Sequence, residues 1–331
     1  MGSTAANGEK TMKQNPSVSL KTVDRVEVTT LMDNYVDLLL PSTDLVLRPP
    51  LAKQGQINPD TLLAEHGLSL LVTVFQGDDK HTVLFDTGYT KVGVLYNMTQ
   101  LGINPEEIEA IVLSHGHMDH TGSLNGVLDK IPHKVPLVVH PGIFRYPRYT
   151  RRPDGATSIW PQTLVKDELN RKNVELIESK TPVCLAGDTM MVTGEVERTT
   201  SFEKGMPNAL MEENGELVFD PILDDQAIVM KLKGKGLVVV SGCAHSGIVN
   251  TLMFAQKITA EPKIHGVLGG FHLSGPFFEK VHDSTVEALK KIDPEVLIPM
   301  HCTGWKATQR FQQEFAESFV LNSVGSKVML S

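Results

Sequence analysis

Only three cysteines occur in the 331 residues, Cys184, Cys243 and Cys302. An odd number cannot pair completely, so reduced thiols near a metal site, in a cytosolic setting, are the simpler account than a disulfide framework. Positive charge is also short. The 31 Lys and Arg face 39 Asp and Glu, for a net charge of −8, which argues against nonspecific binding along nucleic-acid phosphates. No apolar run reaches the roughly 20 residues that span a bilayer, and residues 1–17 lack the apolar centre of a secretion signal. There is no internal repeat and no low-complexity stretch. What remains is an ordinary globular composition, 41% hydrophobic and 21% charged, able to bury a substantial core. The partner expected is a small-molecule substrate, with no nucleic acid and no membrane, and a homo-oligomer is left open.

One stretch concentrates the chemistry: Ser114 to Gly122, SHGHMDHTG. His115, His117, Asp119 and His120 follow directly on the apolar run Ala110 to Leu113, which reads as a short buried strand. The histidines therefore lie on the loop leaving its C-terminal end, the edge where open α/β layers place their sites. Alternate residues of an extended backbone point the same way, so His115 and His117 can meet one cation. Asp119 and His120 begin the next turn and are better placed for a second. The competing reading is a polar loop with satisfied histidines; four such groups in six positions argue against it.

In chain order, residues 1–22 form an unpatterned polar tail, disordered or foreign to the natural chain, and 23–331 read as one domain with inserts at about 141–175 and 201–225. Val26 to Met32 is a first strand ending at Asp33-Asn34, a pair suited to a turn. Tyr35 to Asp60 is a proline-punctuated loop. Leu68 to Phe75 and His81 to Phe85 form a hairpin closed by Asp86, which either caps the turn or holds a metal-binding histidine from behind. Helices follow at Thr90 to Leu101 and Ser123 to Ile131, and His140 ends the next strand as a structural or peripheral residue. The first insert carries Arg145, Arg148, Arg151 and Arg152 among aromatics, then Trp160. Guanidinium forks match phosphate or carboxylate, so Arg145, Arg148 and Arg151 are candidate substrate contacts; alternatively they pair with acids such as Asp167 and Glu168. The second insert is a lid or a partner surface. Val183 to Val192, Gln226 to Leu232, Leu237 to Val240, Ile264 to Leu268 and Val296 to Pro299 read as strands, with helices at Ile248 to Lys257 and Ser284 to Ile292.

HGHMDH, preceded by LFDTG at Leu84 to Gly88, resembles the metallo-β-lactamase superfamily. GCAHSG from Gly242, GGFHL from Gly269 and HCTGW from His301 resemble the branch of dihydropterin ribofuranosylaminobenzene 5′-phosphate synthases. The resemblance spans about residues 24 to 331. It implies an α/β fold, a four-layered αβ/βα sandwich, with two metal ions. The third histidine of the first metal usually follows the region of Val183 to Val192, where this chain has Thr193-Gly194-Glu195. His245 is the replacement expected, giving His115, His117 and His245 around one ion and Asp119, His120 and His301 around the other. Cys243 stands where many relatives carry a bridging aspartate, and is either a thiolate ligand or a buried inert thiol. Cys302 is expected to point away, and His272 to handle substrate or protons.

Two divalent cations would hold hydroxide at neutral pH and polarise a phosphoryl or carbonyl oxygen. Zinc is favoured, with iron or manganese compatible with the same ligands. The function expected is hydrolysis of a small anionic substrate, a phosphoester, pterin-like compound, lactone or thioester, with Asp119 orienting the nucleophile. The alternative is a metal-bound ligand sensor or accessory protein without turnover. A redox role is disfavoured, since no flavin or electron-transfer domain is visible.

Overall fold

The computed structural model describes residues 18–169 and 173–331. Its frame is two large sheets packed face to face. The first runs Val174–Glu178, Val135–Val139, Ala110–Val112, Asp79–Phe85, Ser69–Gln76, Arg25–Met32, Lys327–Leu330 and Val46–Leu47. The second runs Val183–Leu185, Met190–Val192, Ala227–Leu232, Gly236–Ser241, Ile264–Gly270 and Val296–Met300. Both mix parallel and antiparallel pairs: Gly236–Ser241, Ile264–Gly270 and Val296–Met300 are parallel neighbours, whereas Arg25–Met32, Ser69–Gln76 and Asp79–Phe85 form an antiparallel meander.

The layering follows from strands that are apolar on both faces. Val238 and Val240 point between the sheets with Ile228, Val72 and Val112, while Leu237 and Val239 point outward. The outward set packs under helices Ile248–Thr259, His282–Ile292 and Trp305–Glu314 through Leu252, Leu289 and Phe311. On the other side Ile111, Leu113 and Leu84 pack under helices Gly93–Leu101 and Leu124–Leu128. Helix, sheet, sheet and helix make four layers, each interior filled by side chains of which a fully buried Val or Leu contributes about 1.5–3 kcal/mol. No helix among the described residues is long and apolar enough to cross a membrane.

Three departures from expectation have local causes. The chain joins the fold before residue 23: Val18 N donates to Ile258 O, Leu20 is buried, and Thr22–Val23 pairs in parallel with Lys231 and Leu232. The rest of the expected tail, residues 1–17, lies outside the described residues. The single strand expected over Val183 to Val192 is two, because Ala186, Gly187 and Asp188 all take positive φ and turn the chain into a hairpin. The two inserts, expected as separate excursions, pair with each other. Arg148–Arg151 lies between Thr157–Ile159 and Ala209–Glu213, which continues to Glu216–Phe219, so all four strands form one small antiparallel sheet.

Candidate metal site

Four strands end at one edge of the sandwich and deliver the polar cluster there. Ala110–Val112 runs into His115 and His117, both buried, with ring centroids 4.4 Å apart. Gly236–Ser241 runs into Cys243 and His245, Ile264–Gly270 into His272, and Val296–Met300 into His301. The sheets approach closely here. A Cβ on Gly242 would lie 2.1 Å from Ser114 Oγ, so only glycine lets the two loops meet.

The first group is all imidazole. His245 lies 4.8 Å from His115 and 4.7 Å from His117 between ring centroids, and its Nε2 is 3.2 Å from His117 Nδ1. Burial drives all three well below the usual histidine range, reinforced by neighbouring cationic groups, which leaves neutral rings with free lone pairs. Ser114 Oγ donates to Asp86 Oδ2 at 2.7 Å and so accepts from His115 Nδ1 at 2.8 Å. His115 Nε2 is then the unprotonated nitrogen, and it is buried with no hydrogen-bond partner among the described residues. His245 Nδ1 is likewise buried and unpartnered.

The second group mixes charges. Asp119 Oδ2 lies 3.2 Å from His301 Nε2, off the hydrogen-bonding direction, and 3.8 Å from His120 Nε2. His120 Nε2 is also 3.1 Å from Cys243 Sγ. Burial raises the Asp119 pKa, but His120 and His301 outweigh it and hold the carboxyl well below its ordinary range. His301 moves the other way: burial lowers it, yet the Cys302 sulfur and Asp119 bring it up to about 9. Each imidazole is oriented from behind. His120 Nδ1 donates to Asp86 Oδ2 at 2.6 Å, and His301 Nδ1 to Asn34 Oδ1 at 2.9 Å. Asp33, buried, accepts from His301 N at 2.8 Å and from Asn322 Nδ2 at 2.7 Å. Asp86 thus has the rearward contact, and Asp33-Asn34 is a clamp as well as a strand-end turn.

These residues fit cations. The donor atoms of His115, His117 and His245 lie within 4.8 Å of one another, as do those of Asp119, His120, Cys243 and His301, and those of Cys243, His245 and His272. Buried, unpartnered imidazole nitrogens facing a shared centre are costly unless an electrophile satisfies them. Two clustered ligand sets side by side are consistent with a dinuclear metal centre. They are the constellation of a metal-dependent hydrolase site.

Several residues sit elsewhere than expected. Arg148 is not an open anion contact: it is 5% exposed, its Nε lies 3.1 Å from Asp220 and its Nη2 2.5 Å from Asp224. Both acids belong to the second insert, and Asp224 Oδ2 also accepts from Gly116 N at 2.8 Å, so the guanidinium pins both inserts to the histidine loop. Arg145 is partly exposed and 3.3 Å from Glu213, and Arg151 is an exposed residue at the end of its strand. Cys302 does not point away. Its sulfur interacts with Cys243 and His272, because His301 takes φ of +50° and the chain turns before reaching it. His272, at φ +42°, places its ring 4.3 Å from His245. Two neighbours were not among the expected site residues: His66, exposed, with Nε2 3.5 Å from Asp119, and Trp160, read only as following the arginine run, whose ring centroid is 3.9 Å from that of His117. Neither lies in a dense motif, and each reaches the cluster from a loop distant in sequence.

The fold and the cluster agree with comparison to known proteins. The family model described as the metallo-beta-lactamase superfamily matches residues 65–252. This chain belongs to the metallo-β-lactamase superfamily. It is 36% identical over 259 residues to a 7,8-dihydropterin-6-methyl-4-(β-D-ribofuranosyl)-aminobenzene-5′-phosphate synthase of Methanocaldococcus jannaschii, covering 77% of this chain and 87% of the relative. An uncharacterized protein of the same organism is 32% identical over 263 residues, covering 79% and 92%. Among solved structures, one described as a metal-dependent hydrolase of the β-lactamase superfamily superposes with a TM-score of 0.67 at 25% identity, covering 92% of this chain and 98% of that one.

Proposed function

We propose that this chain hydrolyses a small anionic substrate, a phosphoester, pterin-like compound, lactone or thioester, at a two-cation centre. The observation that carries the reading is the convergence of buried, outwardly unsatisfied imidazole nitrogens from separate strand ends on one edge. His115, His117 and His245 would hold one cation; Asp119, His120 and His301 the other, with Cys243 beside them. The thiol favours zinc, and iron or manganese would suit the imidazole and carboxylate donors. When bound, such cations acidify water and polarise the oxygen of the bond to be broken.

The protein's own groups do the rest. Asp119, held ionised, orients the attacking water through its hydrogen. Water adds its oxygen to the phosphorus or acyl carbon, the bond to the leaving group breaks, and His272 relays the proton released by that water to the leaving atom. Asp86 and Asn34 keep His120 and His301 in the tautomers that present Nε2 inward. Trp160 shields the His117 side from bulk water. Of the three candidate arginines, Arg145 and Arg151 are left for drawing an anion toward the entrance. A cytosolic setting belongs to the same reading, supported by three free cysteines.

The test is turnover by zinc-loaded protein of bis(4-nitrophenyl) phosphate, a γ-lactone and a thioester. Hydrolysis of at least one, abolished by chelation, restored by zinc and lost in His120→Ala, is expected. Tight binding of anions with no turnover of any substrate would overturn the reading in favour of a sensor.

A further inference from the structure

Beside the cluster, on the wall formed by His245 and His272, opens a cavity of about 120 Å³. Aromatic side chains line it: Phe202, Phe271 and Phe278, with the Phe278 ring 4.9 Å from His272, and Phe277 exposed at its edge. Its outer part carries two exposed lysines, Lys204 and Lys280, neither with an ion-pair partner among the described residues. The one acid in the lining, Glu203, is turned aside. Its two carboxylate oxygens accept from Val249 N and Asn250 N at the start of helix Ile248–Thr259, each at 2.8 Å. The cavity is therefore apolar within and positive at its rim.

We infer that this cavity is a specificity pocket for the part of the substrate remote from the scissile bond: an apolar arm about the size of one six-membered ring, ending in a carboxylate or phosphate. The inference rests on the hydrolase reading and names the substrate class for that same site. Volume limits the arm: at about 120 Å³ the cavity falls short of the roughly 150 Å³ that encloses one benzene, so it takes at most a single ring that projects past the open mouth. Shared walls set the direction. With His245 and His272 at the inner end, an arm attached to the reacting group passes between the imidazoles and the phenyl rings, and its far end emerges beside the ammonium groups. Aromatic side chains match a flat or short apolar arm, and the lysines match the terminal anion. The anion thereby binds on the second insert and on the loop after Ile264–Gly270, away from the arginine strand.

The experiment is calorimetric titration of zinc-loaded protein with three phosphonates that are not turned over: methylphosphonate, benzylphosphonate and 4-(phosphonomethyl)benzoate. Affinity should rise along that series, the last step by roughly ten-fold for one charge-assisted contact. Phe278→Ala should remove the gain from the ring, and the double variant Lys204→Met, Lys280→Met should remove the gain from the carboxylate. Replacing the carboxylate by a phosphate on the same arm distinguishes the two anions. Equal affinity for all three probes, or a carboxylate gain that survives loss of both lysines, overturns the pocket. Because no turnover is read, that outcome is separate from failure of hydrolysis.

Discussion

The sandwich and the insert sheet solve different problems with the same kind of element. In Gly236–Ser241 every residue is buried and side chains alternate between two packed layers, so the loop at its end has little freedom. In Glu216–Phe219 no residue is fully buried, and a guanidinium between two carboxylates helps to hold the sheet to the site. The candidate ligand atoms sit on the rigid region. Arg145 and Arg151 sit on or beside the looser one, where exposed side chains can be exchanged at small cost to the fold.

That contrast can be broken most forcefully at the ligands. His115→Ala and His301→Ala should each lower affinity for a cation by more than about 100-fold, beyond the range of rearward partners, with little change in thermal stability of the chelated protein. Metal analysis after dialysis reads this, and full occupancy in both would dissolve the two-group arrangement. The next largest effect belongs to the inserts. Arg148→Ala leaves Asp220 and Asp224 buried without a counter-charge, which should cost about 3–5 kcal/mol in urea unfolding. If Arg148→Ala is as stable as the parent, the inserts are not anchored as described. Asp86→Asn, which disturbs the orientation of His120, should weaken metal binding by about 10–100-fold. Trp160→Ala removes an aromatic contact worth about 0.5–1.5 kcal/mol and should raise KM a few-fold with kcat nearly unchanged. A separate effect concerns pH. Burial pushes Glu203 up to about 7 and Asp225 up to about 6. Between about pH 4.5 and 7 the folded chain thus holds protons that the unfolded chain has released, so these groups make stability fall as pH rises. Glu203→Gln should flatten that fall, measured as unfolding midpoints across the range.

Much of the site was legible because its residues are adjacent in sequence and follow apolar strands. H-x-H-x-D-H and the apolar run before it identify both the loop and its sheet edge, and the same pattern before His245 and His301 locates the other strand ends. The rest depended on geometry that spacing does not encode. Cys302 was misread because an extended register was carried through His301, where the backbone turns left-handed. Arg148 was misread because its partners Asp220 and Asp224 are remote in sequence. Pairing of the two inserts is a contact between segments whose polar faces show little periodicity. Helix Trp305–Glu314 and strand Lys327–Leu330 went unread, the helix being largely polar with Ala307 and Phe311 its buried residues.

The first imidazole group draws His115 and His117 from one sheet and His245 from the other. A cation held there would be a rivet across the interface of two halves that meet largely through apolar side chains, with polar contacts such as Asp33 to His301 N and the close approach at Gly242. Binding to the folded form alone would add about 4 kcal/mol at a thousand-fold excess over Kd. The supply of metal in its surroundings would then govern how long the polypeptide survives proteolysis, not merely whether it turns over substrate.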